Sequence, residues 1–198
     1  MGDRTNLLVG PGTLYIASKG TAGPDENNNI LVWPAPWVNL GFTDGGVEME
    51  YEPTVTKHFV DQLKSPAKLS LDEESFVVRA PLAEATLGNL RYAISASKFS
   101  TVAAAGGVTG KDIVTVGGGE LVEYTIGFEG ESPESQADGT QGWRLVLVHI
   151  VVSFAAIAHS YKKGEKTLFP VEFQGLADDT KPVGDDLIRA VDWTAAAT

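Results

Sequence analysis

Cysteine is absent from the 198 residues, which excludes a disulfide framework, a thiolate metal site and a cysteine nucleophile. Histidine is scarce: His58, His149 and His159 lie too far apart along the chain to suggest a zinc site. Basic clusters are missing as well. The formal charge is −11, the pI is near 4.6, and the longest basic run is Lys162-Lys163. Affinity for nucleic-acid phosphate comes from clustered lysine and arginine, so this chain has no overall attraction for it. Long apolar runs are lacking too. The longest, Leu145 to Ala158, is broken by His149 and Ser153 and is too short to span a bilayer. The opening Met1-Gly2-Asp3-Arg4 leads into a short piece broken by proline and glycine rather than a continuous apolar leader. The expectation is a soluble chain that is not marked for export and has no membrane partner.

What is present is a composition suited to strands. Hydrophobic residues make up 43% of the chain, with 22 glycines and 10 prolines, enough for one domain over 1–198 with its own core. Valine and threonine recur in short runs, which favours strands and turns over a helical bundle. The most regular stretch is Trp37 to Ser95. From Val47, apolar Val47, Met49 and Tyr51 alternate with Glu48, Glu50 and Glu52, and a side-chain period of two gives such a strand one core face and one acidic face. The strand region reads as Leu40 to Tyr51, with Asp44-Gly45-Gly46 as a turn or bulge inside it, and Pro53 belongs at an edge, a bulge or a strand end. A second long strand covers Ala67 to Ala80. Leu69 and Leu71 share one of its faces with Val77, and Lys68, Ser70, Asp72 and Glu74 share the other. Phe76 and Val78 reverse that polarity, so a bend or a change of neighbour midway is expected. One short helix follows over about residues 82–95, with Pro81 in its first turn, Glu84 at its positive end and Leu82, Leu87, Leu90 and Ile94 as its stripe.

Elsewhere the chain gives shorter signals. Gly12–Ala17 and Ile30–Trp33 read as short strands, with a polar turn-rich loop near 18–29 between them. Trp33 and Trp37 flank two prolines and read as core or interface anchors rather than a base-stacking platform. Ser95 to Lys111 is small and glycine-rich, a loop. Asp112–Val116 and Leu121–Phe128 read as strands joined by Gly117-Gly-Gly119. Residues 129–142 are polar and aperiodic, a long exposed loop. Trp143–Ala158 is apolar on both faces, the pattern of a strand buried on both sides, and a Lys162-Lys163-Gly164 turn would join it to a strand over Lys166–Gly175. The end of the chain, near 178–198, reads as an arm whose adhesive residues are Leu187, Ile188, Val191 and Trp193.

Catalytic templates fail on count or spacing. Gly117-Gly-Gly119 lacks a following Lys-Ser/Thr pair and a helix start, and neither Gly-x-Ser-x-Gly nor His-Glu-x-x-His occurs. Glu48, Glu50 and Glu52 are neighbours on one strand, whereas glycoside hydrolysis needs carboxylates on opposite walls of a cleft. Asp72-Glu73-Glu74 and Asp178-Asp179 lack the EF-hand spacing for calcium and suit a solvated surface. The expectation is no enzyme, no catalytic residue, no metal and no cofactor.

The order of motifs carries more. Trp37-x-x-Leu40-Gly41-Phe-Thr43-Asp44-x-Gly46-Val47 precedes the acidic strand; Asp61-Gln62 and Pro66 follow, then the long strand and Leu82-x-Glu84-x-Thr86-Leu87-x-Asn89-Leu90. Together with Gly10-Pro-Gly-Thr-Leu-Tyr-Ile-Ala17 and the late Arg144-Leu-Val-Leu-Val and Thr167-Leu-Phe-Pro170-Val-Glu-Phe173 segments, this resembles the major tail tube proteins of long-tailed bacteriophages over about residues 10 to 177. Single motifs are loose; their order and spacing carry the likeness.

The resemblance implies a mainly β fold, an antiparallel β-sandwich with one flanking helix, whose strands join those of other copies in a shared β-barrel. Six copies would form a ring, and rings would stack into a tube for genome delivery. The implied partners are further copies of the chain, tape measure, tail terminator and distal tail components, and double-stranded DNA that passes without specific binding. The implied location is the virion tail, after synthesis in the host cytoplasm. Glu48, Glu50 and Glu52, with Asp72 and Glu74, become candidates to face the lumen, where negative charge repels phosphate. Trp37, Lys57, Lys64, Lys68 and Trp193 are candidates for the interface between subunits. The rival expectation is a β-sandwich binding module that recognises a carbohydrate or a protein.

Overall fold

A computed structural model describes residues 12–26, 31–135, 141–154, 156–158, 163–164 and 166–193. The fold is mainly β: about half of the described residues lie in strands and one short segment is helical, and all strand pairs among the described residues are antiparallel. In chain order the elements are β1 (Gly12–Ser18), β2 (Val38–Asn39), β3 (Glu48–His58), β4 (Lys68–Leu82), α1 (Leu87–Ala93), β5 (Ser97–Val102), β6 (Lys111–Val116), β7 (Tyr124–Ser135), β8 (Gln141–Val152), β9 (Phe169–Leu176) and β10 (Ile188–Asp192). Eight strands form one sheet in the order β2-β1-β7-β8-β9-β4-β3, with β10 also paired to β8, and β5 with β6 makes a separate ribbon.

The sheet is organised by β8. One edge pairs with β7; the other is divided, Arg144–Val148 pairing with β10 and Ile150–Val152 with β9. At the division, the β7 register moves from Tyr124↔Val151 to Ile126↔Val148, a bulge that gives β8 one extra residue. Beyond it β9, β4 and β3 lie over β1 and β7, and side chains from both arms meet in one core that includes Leu14, Ile16, Ile126 and Val148 on one side and Phe76, Val78, Phe169 and Phe173 on the other. The apolar character of Leu145–Val152 is explained by this position, since each of these residues is buried.

The helix is shorter than expected. Pro81 and Leu82 belong to β4, pairing with Pro170 and Phe169 of β9, because burial of Leu82 in the core outweighs its place on a helical stripe. Thr86 caps α1 by accepting the Asn89 N–H at 3.1 Å. Glu84, expected at the helix start, instead accepts the Phe42 N–H at 3.2 Å.

Further segments differ from expectation. Ser97–Val102, within the expected loop, is β5, and β6 pairs with it rather than with β7. Leu31–Trp33 is not a strand, and Ile30 lies outside the described residues. In the expected loop 129–142, β7 runs on to Ser135 and β8 begins at Gln141. Its polar residues are compatible with pairing because backbone carries the ladder while Glu129 faces out to take the Trp33 indole N–H at 2.6 Å; residues 136–140 lie outside the described set. The β8–β9 pairing is limited to three residue pairs; of the expected turn between them, Lys162 is outside the described residues. Within the expected C-terminal arm, Ile188–Asp192 is a strand of the main sheet. Its place is held by Arg144, which donates to both carboxylate oxygens of Asp192 at 2.7 and 2.6 Å.

Candidate functional site

The β3–β4 pair begins in the body and leaves it. Near the body the register sets Glu48 opposite Arg79, Glu50 opposite Val77 and Glu52 opposite Ser75, so these residues share one face. Met49, Tyr51, Phe76 and Val78 share the other, which is the core face. Between Thr54 and Val55 the register shifts: Thr54 opposes Glu73, Val55 opposes Leu71, and Asp72 is the extra residue. This bulge is the midway change that the polarity of Phe76 and Val78 required. Without it, Leu69 and Leu71 would fall on the acidic face; with it, they rejoin the line of Met49 and Tyr51.

The result is an amphipathic arm. Its core face runs beyond the body as Tyr51, Val55, Leu71 and Leu69, which are 44–58% exposed, and the tip adds exposed Phe59, Val60 and Leu63. Its opposite face runs from Glu48, Glu50 and Glu52 to Thr54, Thr56 and Ser70. All of β3 after Met49 is exposed. Polar side chains tie the two strands: Thr56 to Asp72, His58 to Ser70 at 2.6 Å, and the Tyr51 hydroxyl donating to Glu74 at 2.6 Å. That last bond raises the Tyr51 phenol above its ordinary value.

The acidic residues are thereby sorted. Glu48, Glu50 and Glu52 share a face, Asp72 sits in the bulge, and Glu74 lies on the opposite face beside Tyr51. The acidic face also holds a cation. Arg79 bridges Glu50 and Glu172, the latter at 2.7 Å, and these hydrogen bonds push its pKa above the ordinary value. Five carboxylates, Glu48, Glu50, Glu52, Glu73 and Glu172, against Arg79 and the more distant Lys68 leave this face negative.

The other candidates are dispersed. Lys57 is on the core face of the arm, Lys68 on the opposite face, and Lys64 between the strands at the tip. Trp37 is half-buried, donates to the Ala22 carbonyl at 2.7 Å and meets the edge of Trp33, whose ring stacks on Tyr15 at 4.2 Å. Trp193 is half-buried and donates to the Glu26 carbonyl at 3.0 Å.

Two residues carry roles that periodicity does not signal. Asn89, buried on α1, donates from one amide nitrogen to the Leu40 and Glu84 carbonyls at 2.9 and 2.8 Å; its Leu-x-Asn-Leu setting reads only as a polar interruption of a stripe. His149 stands where the edge of β8 changes partner. Its buried Nε2 has no hydrogen-bond partner among the described residues, with Asp185 Oδ1 at 3.5 Å, in a cavity of about 530 Å³ that also meets Asp178 and Arg189. Among the described residues no group of three histidine, aspartate or glutamate side chains converges to hold a metal ion, and no helix is long and apolar enough to cross a membrane.

No protein-family model matches this chain, and no curated protein matches it either.

Proposed function

We propose that the chain is a structural subunit that assembles with its own copies into the tail tube of a long-tailed phage. In this reading the folded-over sheet is a β-sandwich, and the β3–β4 arms of six copies close a shared barrel whose acidic faces line the channel. The observation that carries it is the β3–β4 pair: acidic on one face near the body, and apolar and uncovered on the other where its strands run beyond the body. An exposed strand edge with apolar side chains is an aggregation hazard for a lone subunit, and closure in a ring removes it. The order of motifs along the sequence supplies the particular family.

The acidic face then has work to do. Glu48, Glu50, Glu52, Glu73 and Glu172, offset by Arg79 and Lys68, repeat around a ring as about eighteen net negative charges. Such a wall repels phosphate within about 8 Å, the screening length at physiological salt, so DNA passes without adhering. The test is light scattering and negative-stain electron microscopy on the purified chain across a concentration series. Rings or tubes of uniform diameter are expected; a chain that stays monomeric at the highest concentration refutes the proposal.

A further inference from the structure

A cleft of about 630 Å³ opens between two strand edges that are both unpaired among the described residues, those of β3 and β10. Its walls are apolar: Met49 on one side, Ile188 and Val191 on the other, with Phe76, Phe128 and Val146 as its floor. The Arg144–Asp192 pair closes the polar rim. We propose that this cleft receives the β3–β4 arm of a second copy of the chain. The inference rests on the assembly reading above and names the surface that accepts the arm.

Several observations converge on that occupant. The arm and the cleft are the two halves of a match carried by one molecule, since Tyr51, Val55, Leu69 and Leu71 are uncovered apolar side chains on extended backbone. Extended backbone is what unpaired edges recruit. An arm cannot fill the cleft of its own chain, because Met49 at its root already forms one wall. The contact is therefore between copies, and passed on from one copy to the next it propagates around a ring. Charge points the same way. Residues 55–71 hold three lysines and one aspartate, a net +2, on a chain whose total is −11. The attraction belongs to the tip, since Asp72-Glu73-Glu74 follow directly toward the body, and it draws the tip toward the acidic surface of another copy.

The absence of cysteine makes the test direct. Chains carrying Leu71→Cys are mixed with chains carrying Ile188→Cys, allowed to assemble and oxidised. A disulfide between the two kinds of chain is expected, because the arm of one lies in the cleft of the other. Leu71 is exposed and Ile188 only partly buried, so both variants should fold, and unchanged circular dichroism checks that. A second variant, Leu69→Ser with Leu71→Ser, should keep the thermal midpoint of the monomer while raising the concentration needed for assembly at least tenfold. Particles that form without the mixed disulfide, or with Leu71→Cys chains linked only to each other, overturn the docking while leaving the assembly reading standing. A disulfide formed within one chain between Leu8→Cys and Ile188→Cys would assign the cleft to the chain's own N-terminal segment and also overturn it. Wild-type chains that never associate refute both.

Discussion

Asn89 shows how much one buried amide can hold. Its nitrogen joins α1 to the carbonyl of Leu40, whose N–H donates to the Leu14 carbonyl of β1 at 2.9 Å, so helix, connection and sheet share one polar link. Asn89→Leu leaves the Leu40 carbonyl without that donor in a buried setting, at an expected cost of about 1–3 kcal/mol, measurable as a lower urea midpoint with unchanged slope. Gly127 is a position where space decides. A Cβ there would meet the Trp33 ring, and Trp33 could not keep both its stack on Tyr15 and its bond to Glu129. Gly127→Ala should destabilise by about 1–3 kcal/mol and shift tryptophan emission to the red. Neither residue is legible in the sequence. A buried asparagine and a glycine under an indole are defined by what lies across from them, and nothing local marks that.

At the scale of elements, β10 is held to β8 by a charge pair that depends on pH. The hydrogen bonds from Arg144 hold the Asp192 carboxyl below its ordinary value. A carboxylate depressed in the folded state contributes its stability above the unfolded value, about 3.9, and loses it as pH falls through the lower folded value. Protection factors of the β10 amides, each taken against the intrinsic exchange rate at the same pH, should therefore fall as the solution is acidified below about pH 4, before those of β7, and Asp192→Asn should remove most of that pH dependence. Legibility at this scale was uneven for physical reasons. The acidic alternation of β3 and the doubly buried β8 were readable because period and burial leave local marks. The reversal at Phe76 even announced the bulge at Asp72. By contrast β5, the later part of β7 and β10 are polar or mixed, and they become strands through backbone pairing with partners distant in sequence. The expected helix lost Leu82 for the same reason, since Phe169 across the ladder claims it.

For the molecule as a whole, the channel reading makes a charge prediction. Glu50 is engaged by Arg79, whereas Glu48 and Glu52 lie exposed on the same face. Reversing those two to lysine should leave the fold and assembly close to wild type and slow DNA delivery, scored as infective titre per assembled particle in a complementation assay. Failure to assemble, with the monomer still folded, would place both residues in a contact between copies rather than on a channel wall.

The central position of β8 also sets a timetable for synthesis. Strands β1 to β4 are complete by Leu82, yet β4 reaches β8 only through β9, which ends at Leu176, so the ribosome adds about 90 residues before the core can close. At about 5–20 residues per second the β3–β4 hairpin waits on the order of several seconds with its apolar side bare. Lys57, Lys64 and Lys68 are placed on this hairpin as gatekeepers are placed beside sticky strands. Replacing the three with alanine should lower soluble yield from a crowded cell several-fold while leaving the melting temperature of the surviving protein nearly unchanged, and co-expression with a holdase chaperone should restore the loss.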